Sequence, residues 1–251
     1  MTLPDIIILF GAPASGKGTQ AENLKVYLQP YNYEHLDFGA ALRDYVAQHI
    51  GNYKNLNLNN LPKIDSNTTP ELALSIQAAT AMLQGNPLEA NMLWQILGSQ
   101  IDELLNSGKR LIIEGLGRTV EDARRFGKIA SHKHLKVAIF QLCITLEESL
   151  KRSATRFYVN GFIKPFSSLA EAKKFATAEH QIWQRAEDLD VEKIKHRYKV
   201  LYSDIFAKVL STLQMECLAN IFIIDGRDSI EEDFGRIQLY LQKFYDLKIV
   251  S

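Results

Sequence analysis

Four short stretches of the chain are apolar without interruption: residues 6–10, 111–113, 137–140 and 221–224. None alternates apolar with polar, so each predicts a strand covered on both faces, as in a parallel sheet. A weaker fifth run at 33–36 precedes a helical pattern containing Arg43 and reads as one more strand. The segments between the runs are amphipathic and long enough for helices. Strand and helix in alternation imply right-handed βαβ units. The expected fold class is therefore α/β, with a five-stranded parallel sheet and helices on both faces.

Two stretches break this rhythm. Residues 51–69 carry Asn52, Asn55, Asn57, Asn59, Asn60 and Asn67, with Pro62 inside and Pro70 just beyond, which is loop chemistry. Residues 157–184 carry Gly161 and Pro165 and are flanked by arginines. A long irregular insertion in a compact α/β domain is often a lid or a binding loop.

Length and composition narrow the class. At 251 residues the chain fits one large domain, and it can bury a core without disulfide or metal staples. Lys and Arg total 29 and Asp and Glu total 29, so the net charge is zero. A broad nucleic-acid or membrane surface needs a basic excess, and neither partner is expected. The only cysteines, Cys143 and Cys217, lie in apolar stretches outside any CxxC pattern. They read as a buried, reduced pair. The N-terminus has no basic region ahead of a long apolar run, so the expected location is cytoplasmic.

Candidate chemistry concentrates after the first strand. The segment Gly11-Ala-Pro-Ala14-Ser15-Gly16-Lys17-Gly18-Thr19 runs from a strand into a helix, the setting in which a Walker A loop binds phosphate. Its glycines let successive N–H groups turn inward around an anion. The helix that follows adds its dipole and unpaired N–H groups, and Lys17 adds a point charge. The hydroxyl usual after the lysine comes one place later, at Thr19. No NKxD base-reading motif is present, which argues against a GTPase. The strand at 111–113 ends in a single acid, Glu114, then Gly115, unlike the paired acids of motor ATPases.

With that loop in place, the chain resembles the adenylate kinase family of nucleoside monophosphate kinases over nearly its whole length. Residues 16–20 match the family's Gly-Lys-Gly-Thr-Gln. His35-Leu36-Asp37-Phe38-Gly39-Ala40-Ala41-Leu42-Arg43 stands for His-Ile-Ser-Thr-Gly-Asp-Leu-Leu-Arg, and Glu114-Gly115-Leu116-Gly117-Arg118-Thr119 for Asp-Gly-Phe-Pro-Arg-Thr. Arg152 and Arg156, then Arg185 with Glu187 and Asp188, then Lys195-His196-Arg197, and Ile224-Asp225-Gly226 follow in the family's order. The resemblance implies a single P-loop NTPase-type domain over 1–251, an acceptor-binding helical insert at about 37–105 and a lid at about 157–184. It implies the reaction ATP + AMP = 2 ADP, by direct transfer in a ternary complex. It also implies a Mg2+ cofactor and a monomer. A kinase for another monophosphate such as GMP, or a nucleotide-binding pseudoenzyme serving as a regulatory module, are the alternatives.

The same resemblance assigns roles. Gly11, Ala14, Ser15, Gly16, Lys17, Gly18, Thr19 and Gly226 bind ATP, and Arg152 stacks on its base. Phe38, Arg43, Gly115, Arg118 and Asp122 bind the acceptor monophosphate. Arg156, Arg185 and Arg197 join Lys17 around the transferring group, and Glu114 holds Mg2+ through water. The lid lacks the cysteines of zinc-binding relatives, and His180 alone makes no site, so no zinc is expected. The family's adenine-reading Gln becomes Asp122, which can only accept when ionised. Asp122 is expected to be exposed and free to turn aside, leaving AMP as acceptor. Gly117 replaces a proline and is expected to loosen Arg118.

Overall fold

The structure is a computed structural model that describes residues 3–51, 53–159, 166–245 and Leu247. In chain order the elements are β1 (Ile6–Gly11), α1 (Lys17–Tyr27), β2 (Tyr33–Asp37), α2 (Phe38–His49), α3 (Pro70–Gln84), α4 (Ala90–Asn106), β3 (Arg110–Glu114) and α5 (Val120–His132). Then come β4 (Val137–Cys143), α6 (Leu146–Thr155), β5 (Tyr158–Val159), α7 (Leu169–Phe175), β6 (Ile182–Trp183), α8 (Ala186–Leu189), α9 (Val191–Tyr198), α10 (Phe206–Cys217), β7 (Asn220–Asp225) and α11 (Ile230–Tyr245).

The five-stranded parallel sheet has the order β2-β3-β1-β4-β7. Side chains on a strand alternate between faces, so an unbroken apolar run feeds two cores at once. Ile6, Ile8, Phe10, Leu111, Ile113, Val137 and Ile139 enter the core under α4, α5 and α10. Ile7, Leu9, Ile112, Ala138, Phe140 and Leu142 enter the opposite core, under α1 and α11. The expectation of two covered faces fails only on β7, where Ile223 is 65% exposed. β7 is an edge strand, and Ile223 lines an open cavity of about 520 Å3 instead of a helix. Cys143 and Cys217, expected to be buried, are half-buried free thiols.

The helices have chemical boundaries. Thr119, Thr145, Thr69, Asp37 and Asp190 each cap a helix with a side-chain oxygen. The Asn-rich stretch folds on itself. Asn60 Oδ1 accepts from Asn57 N, Asn57 Oδ1 from Asn59 N, and Asn60 Nδ2 donates to the Asn55 carbonyl. Among the described residues no helix is long and apolar enough to cross a membrane.

α5 and α10 meet closely because Gly127 has no side chain. A Cβ there would stand 2.5 Å from Glu216 Cβ. Gly127→Ala is expected to force the helices apart and cost about 1–3 kcal/mol. Thermal unfolding reads this, and an unchanged Tm would show that α10 yields freely.

In the region 157–184, β5 pairs antiparallel with β6, and the Phe157 and Phe166 backbones exchange two hydrogen bonds of 2.8 and 2.7 Å. Aromatic pairs hold these pieces together. Tyr158 stacks on Trp183 at 4.8 Å and Phe166 on Phe175 at 5.3 Å. Gly161 and Pro165 lie outside the described residues.

Candidate functional site

The loop between β1 and α1 turns by two left-handed residues, Ala14 (φ 59°) and Gly16 (φ 94°). Gly16 is the residue before the first turn of α1, and no side chain caps that helix. Its first N–H groups are left to serve the loop and whatever anion the loop holds. Gly11 lies against Ser15 and the Leu142 carbonyl, so closely that no side chain would fit. Ser15 is buried. Gly226 closes the same end of the sheet, and a Cβ on it would lie 3.4 Å from the Ser15 carbonyl. Thr19 follows Gly18 in the first turn of α1.

Lys17 folds back over the loop. Its Nζ donates to the carbonyls of Gly11 at 2.9 Å and Ala12 at 2.8 Å. Burial pushes its pKa down to about 8; Glu114 opposes this, while Arg118, Arg156 and Arg197 lower it further. Three guanidinium groups from three parts of the chain therefore act on one ammonium. The lysine remains mostly protonated at neutral pH.

Glu114 ends β3 facing Gly18, where a Cβ would lie 3.5 Å from its carboxylate, an ordinary contact. His35 clamps it, with Nε2 3.0 Å from Glu114 Oε1 and Nδ1 2.8 Å from Glu22 Oε1. Burial works against a charged ring, but the hydrogen bonds and charges of Glu114 and Glu22 outweigh it and raise the His35 pKa. Sequence reasoning quoted His35 without giving it this part.

Arg118 is half-buried, and loss of solvent around it lowers its pKa against the opposing charges of Asp37, Asp122 and Glu114. Arg43 and Arg118 both approach Gly39 in the first turn of α2. Asp37 Oδ2 lies 3.7 Å from Arg43 Nη2, and Asp37 Oδ1 accepts from Gly39 N at 2.7 Å. A carboxylate is thus supplied beside the arginines although Ala40 carries none. The expected looseness at Gly117 is not found. Its φ is +70°, and a Cβ there would strike the Phe10 ring at 2.7 Å and Val209 at 2.9 Å. Proline, fixed near φ −65°, cannot take this conformation. Glycine is what allows the turn that presents Arg118.

Arg156 and Arg185 converge on Tyr158, at 5.6 and 4.5 Å from its ring. Arg156 is held in a bidentate pair with Asp188, Nε to Oδ2 at 3.0 Å and Nη2 to Oδ1 at 2.5 Å, and Asp188 is 1% exposed. Arg185 Nε is buried with no hydrogen-bond partner. The stem of Arg197 passes Gly85, at the end of α3, and His196 Nε2 lies 2.9 Å from Asn86 Oδ1. α9 therefore touches the turn between α3 and α4. Arg152 stands apart from this group, its Nε donating to Glu148 Oε1 at 2.6 Å.

A second, narrow cavity opens between α2, the α3–α4 turn and the start of α5. Phe38, Leu42, Met82, Leu88 and Leu93 form its apolar walls, with Gly115, Asn86, Arg118 and Asp122. The expectation of an exposed Asp122 fails, because the residue is 0% exposed. It is locked in a capping box: Asp122 N donates to Thr119 Oγ1 at 3.0 Å and Oδ2 accepts from Thr119 N at 3.2 Å. Burial raises its pKa to about 6, against the lowering effects of Thr119 and Arg118.

The family model described as AAA domain matches residues 10–156, more than half of the chain. An adenylate kinase of Elusimicrobium minutum is 28% identical over 95% of this chain and 99% of its own length. One from Parabacteroides distasonis is 25% identical over 92% of this chain and 95% of its own. The chain belongs to the adenylate kinase family. A further family member, from Bartonella tribocorum, is 26% identical over 60% of this chain and 65% of its own length.

Proposed function

We propose that the chain is an ATP-dependent nucleoside monophosphate kinase that transfers the γ-phosphoryl group of Mg·ATP directly to AMP. The observation that carries this reading is the gathering of Arg118, Arg156 and Arg197 around the half-buried ammonium of Lys17. Such a concentration of positive charge is costly unless anions share it. Phosphoryl transfer between two nucleotides supplies those anions. It needs little covalent chemistry from the protein beyond positioning and charge neutralisation.

The loop from Gly11 to Thr19 wraps the ATP phosphates, with Gly226 at its edge. Arg152, held flat by Glu148, offers its face to the donor base. Arg43 and Arg118 grip the acceptor phosphate. Arg156, Arg185 and Arg197 close over the transferring group with Lys17, and the unpaired Nε of Arg185 is a donor suited to a phosphate oxygen. The region 157–184 acts as the lid that keeps water from replacing the acceptor.

Among the described residues no three His, Cys, Asp or Glu side chains gather as a metal cage. A lone carboxylate fits Mg2+, which takes one or two protein carboxylates and completes its shell with water and substrate phosphates. Glu114, steadied by His35, would hold the ion through water, and Mg2+ would draw charge from the β- and γ-phosphates.

Incubating purified protein with ADP and Mg2+ tests the proposal, which expects equal amounts of ATP and AMP. No ATP from ADP, with nucleotide still bound, would favour the regulatory pseudoenzyme.

A further inference from the structure

The cavity between α2, the α3–α4 turn and α5 is lined by a residue, Asp122, that carries a polar atom the fold leaves unused. Asp122 Oδ2 is committed to the Thr119 backbone, whereas Oδ1 is buried and has no hydrogen-bond partner. An unpaired buried oxygen costs about 1–3 kcal/mol. The capping box fixes the side chain, so the carboxyl cannot swing out to water to escape that cost. Phe38, Leu42 and Leu88 line the cavity as apolar walls for a flat ring. Arg118 stands at the same cavity and on the nucleotide side, where its charge also reaches Lys17.

We propose that Asp122 reads the acceptor base through Oδ1, and that AMP is taken with this carboxyl neutral, its Oδ1–H donating to adenine N1. The inference rests on the kinase reading above. Adenine presents a lone pair at N1 beside an N6 amino group. An ionised Asp122 would oppose that lone pair with another acceptor, whereas a carboxylic acid supplies the missing donor. Asn86, across the cavity, carries an amide oxygen to which the N6 amino group can donate. A 6-oxopurine presents N1–H instead, and pairs with the ionised carboxylate. The same side chain thus accepts two kinds of purine in two protonation states.

The surroundings favour the neutral form. The charged groups acting on Asp122 are Arg118, which favours ionisation, and Glu121 on its own helix, which opposes it. From α2 and the α3–α4 turn the cavity is faced by apolar side chains and by the uncharged Asn86. Burial dominates and sets the pKa at about 6. The fraction of neutral carboxyl falls as pH rises through that value, so AMP binding weakens on the alkaline side.

The test compares kcat/KM for AMP and for GMP between about pH 6 and pH 8, in the wild type and in Asp122→Asn. Taking the ratio cancels titration of the phosphates, which both substrates share. With a pKa of about 6 the neutral fraction falls about 50-fold over this range, and the AMP-to-GMP ratio should fall by at least as much. Asn keeps the oxygen that caps α5 and carries a permanent N–H donor. Asp122→Asn should therefore show a flat ratio and prefer AMP even at pH 8. Calorimetric binding of AMP at both pH values reads the same effect without turnover as the difference between the two proteins, in which titration of the phosphate cancels. If AMP affinity and its pH course are the same in Asp122→Asn as in the wild type, base reading lies elsewhere and the inference is overturned, whatever the kinase assay gives. If AMP binding follows the expected pH course but ADP yields no ATP, the inference stands and the kinase reading falls.

Discussion

Lys17→Ala is expected to lower phosphoryl transfer by about 10³-fold or more while leaving Tm within a few degrees, as read by a coupled assay and thermal unfolding. The two effects separate because of what Nζ touches. It donates to two carbonyls of its own loop, so its loss removes hydrogen bonds worth about 1.5–3 kcal/mol each. The same loss relieves a half-buried ammonium that Arg118, Arg156 and Arg197 all repel. These terms oppose one another in stability. In transfer they do not, because only the ammonium can follow charge as it moves from the donor to the acceptor oxygen. A variant retaining more than about a tenth of the wild-type rate would remove Lys17 from the transfer site.

Arg156→Ala is expected to damage both stability and rate. Removing one member of a buried ion pair strands the other. For Asp188, at 1% exposure, that costs about 3–5 kcal/mol, or roughly 10 °C in a domain of this size. The rate should fall by about 10³-fold or more, the scale of a transfer-site arginine. The double variant Arg156→Ala/Asp188→Asn parts the two roles, since it removes the stranded charge without restoring the guanidinium. Tm should recover and turnover should not. Recovery of both would reduce Arg156 to a structural prop.

The sheet was legible because burial on both faces writes itself as unbroken apolar runs at β1, β3 and β4. It was least legible at the edges. β2 reads weakly because Glu34, His35 and Asp37 interrupt it, while Ile223 on β7 is apolar yet exposed. The arginines were singled out by their match to the order and spacing of the family's motifs. What holds them was not found. The Arg156–Asp188 pair spans 32 residues and the His35–Glu114 contact 79, and no local pattern reports such meetings. The left-handed turn at Gly117 looked like slack, because a glycine code does not say which of its conformations is used. Asp122 was assigned to the base by position, but its burial follows from a capping box whose signature, Thr119 followed three residues later by an acid, stood in the sequence.

The contact between α9 and the turn after α3 has a kinetic consequence. The cavity walled by Phe38, Leu42 and Leu88 has only about 10 Å3 of room for the centre of a water molecule. On the kinase reading proposed above, a purine is too large for that gap, and moving the α3–α4 turn aside to admit it would break His196 from Asn86 and slide Gly85 off the stem of Arg197. Admission of substrate and escape of product then share a single gate, and friction with the solvent enters each turnover. On the same reading the hinge is expected to pace the reaction as much as the chemistry does, and thickening the medium with sucrose is expected to slow turnover even at saturating nucleotide.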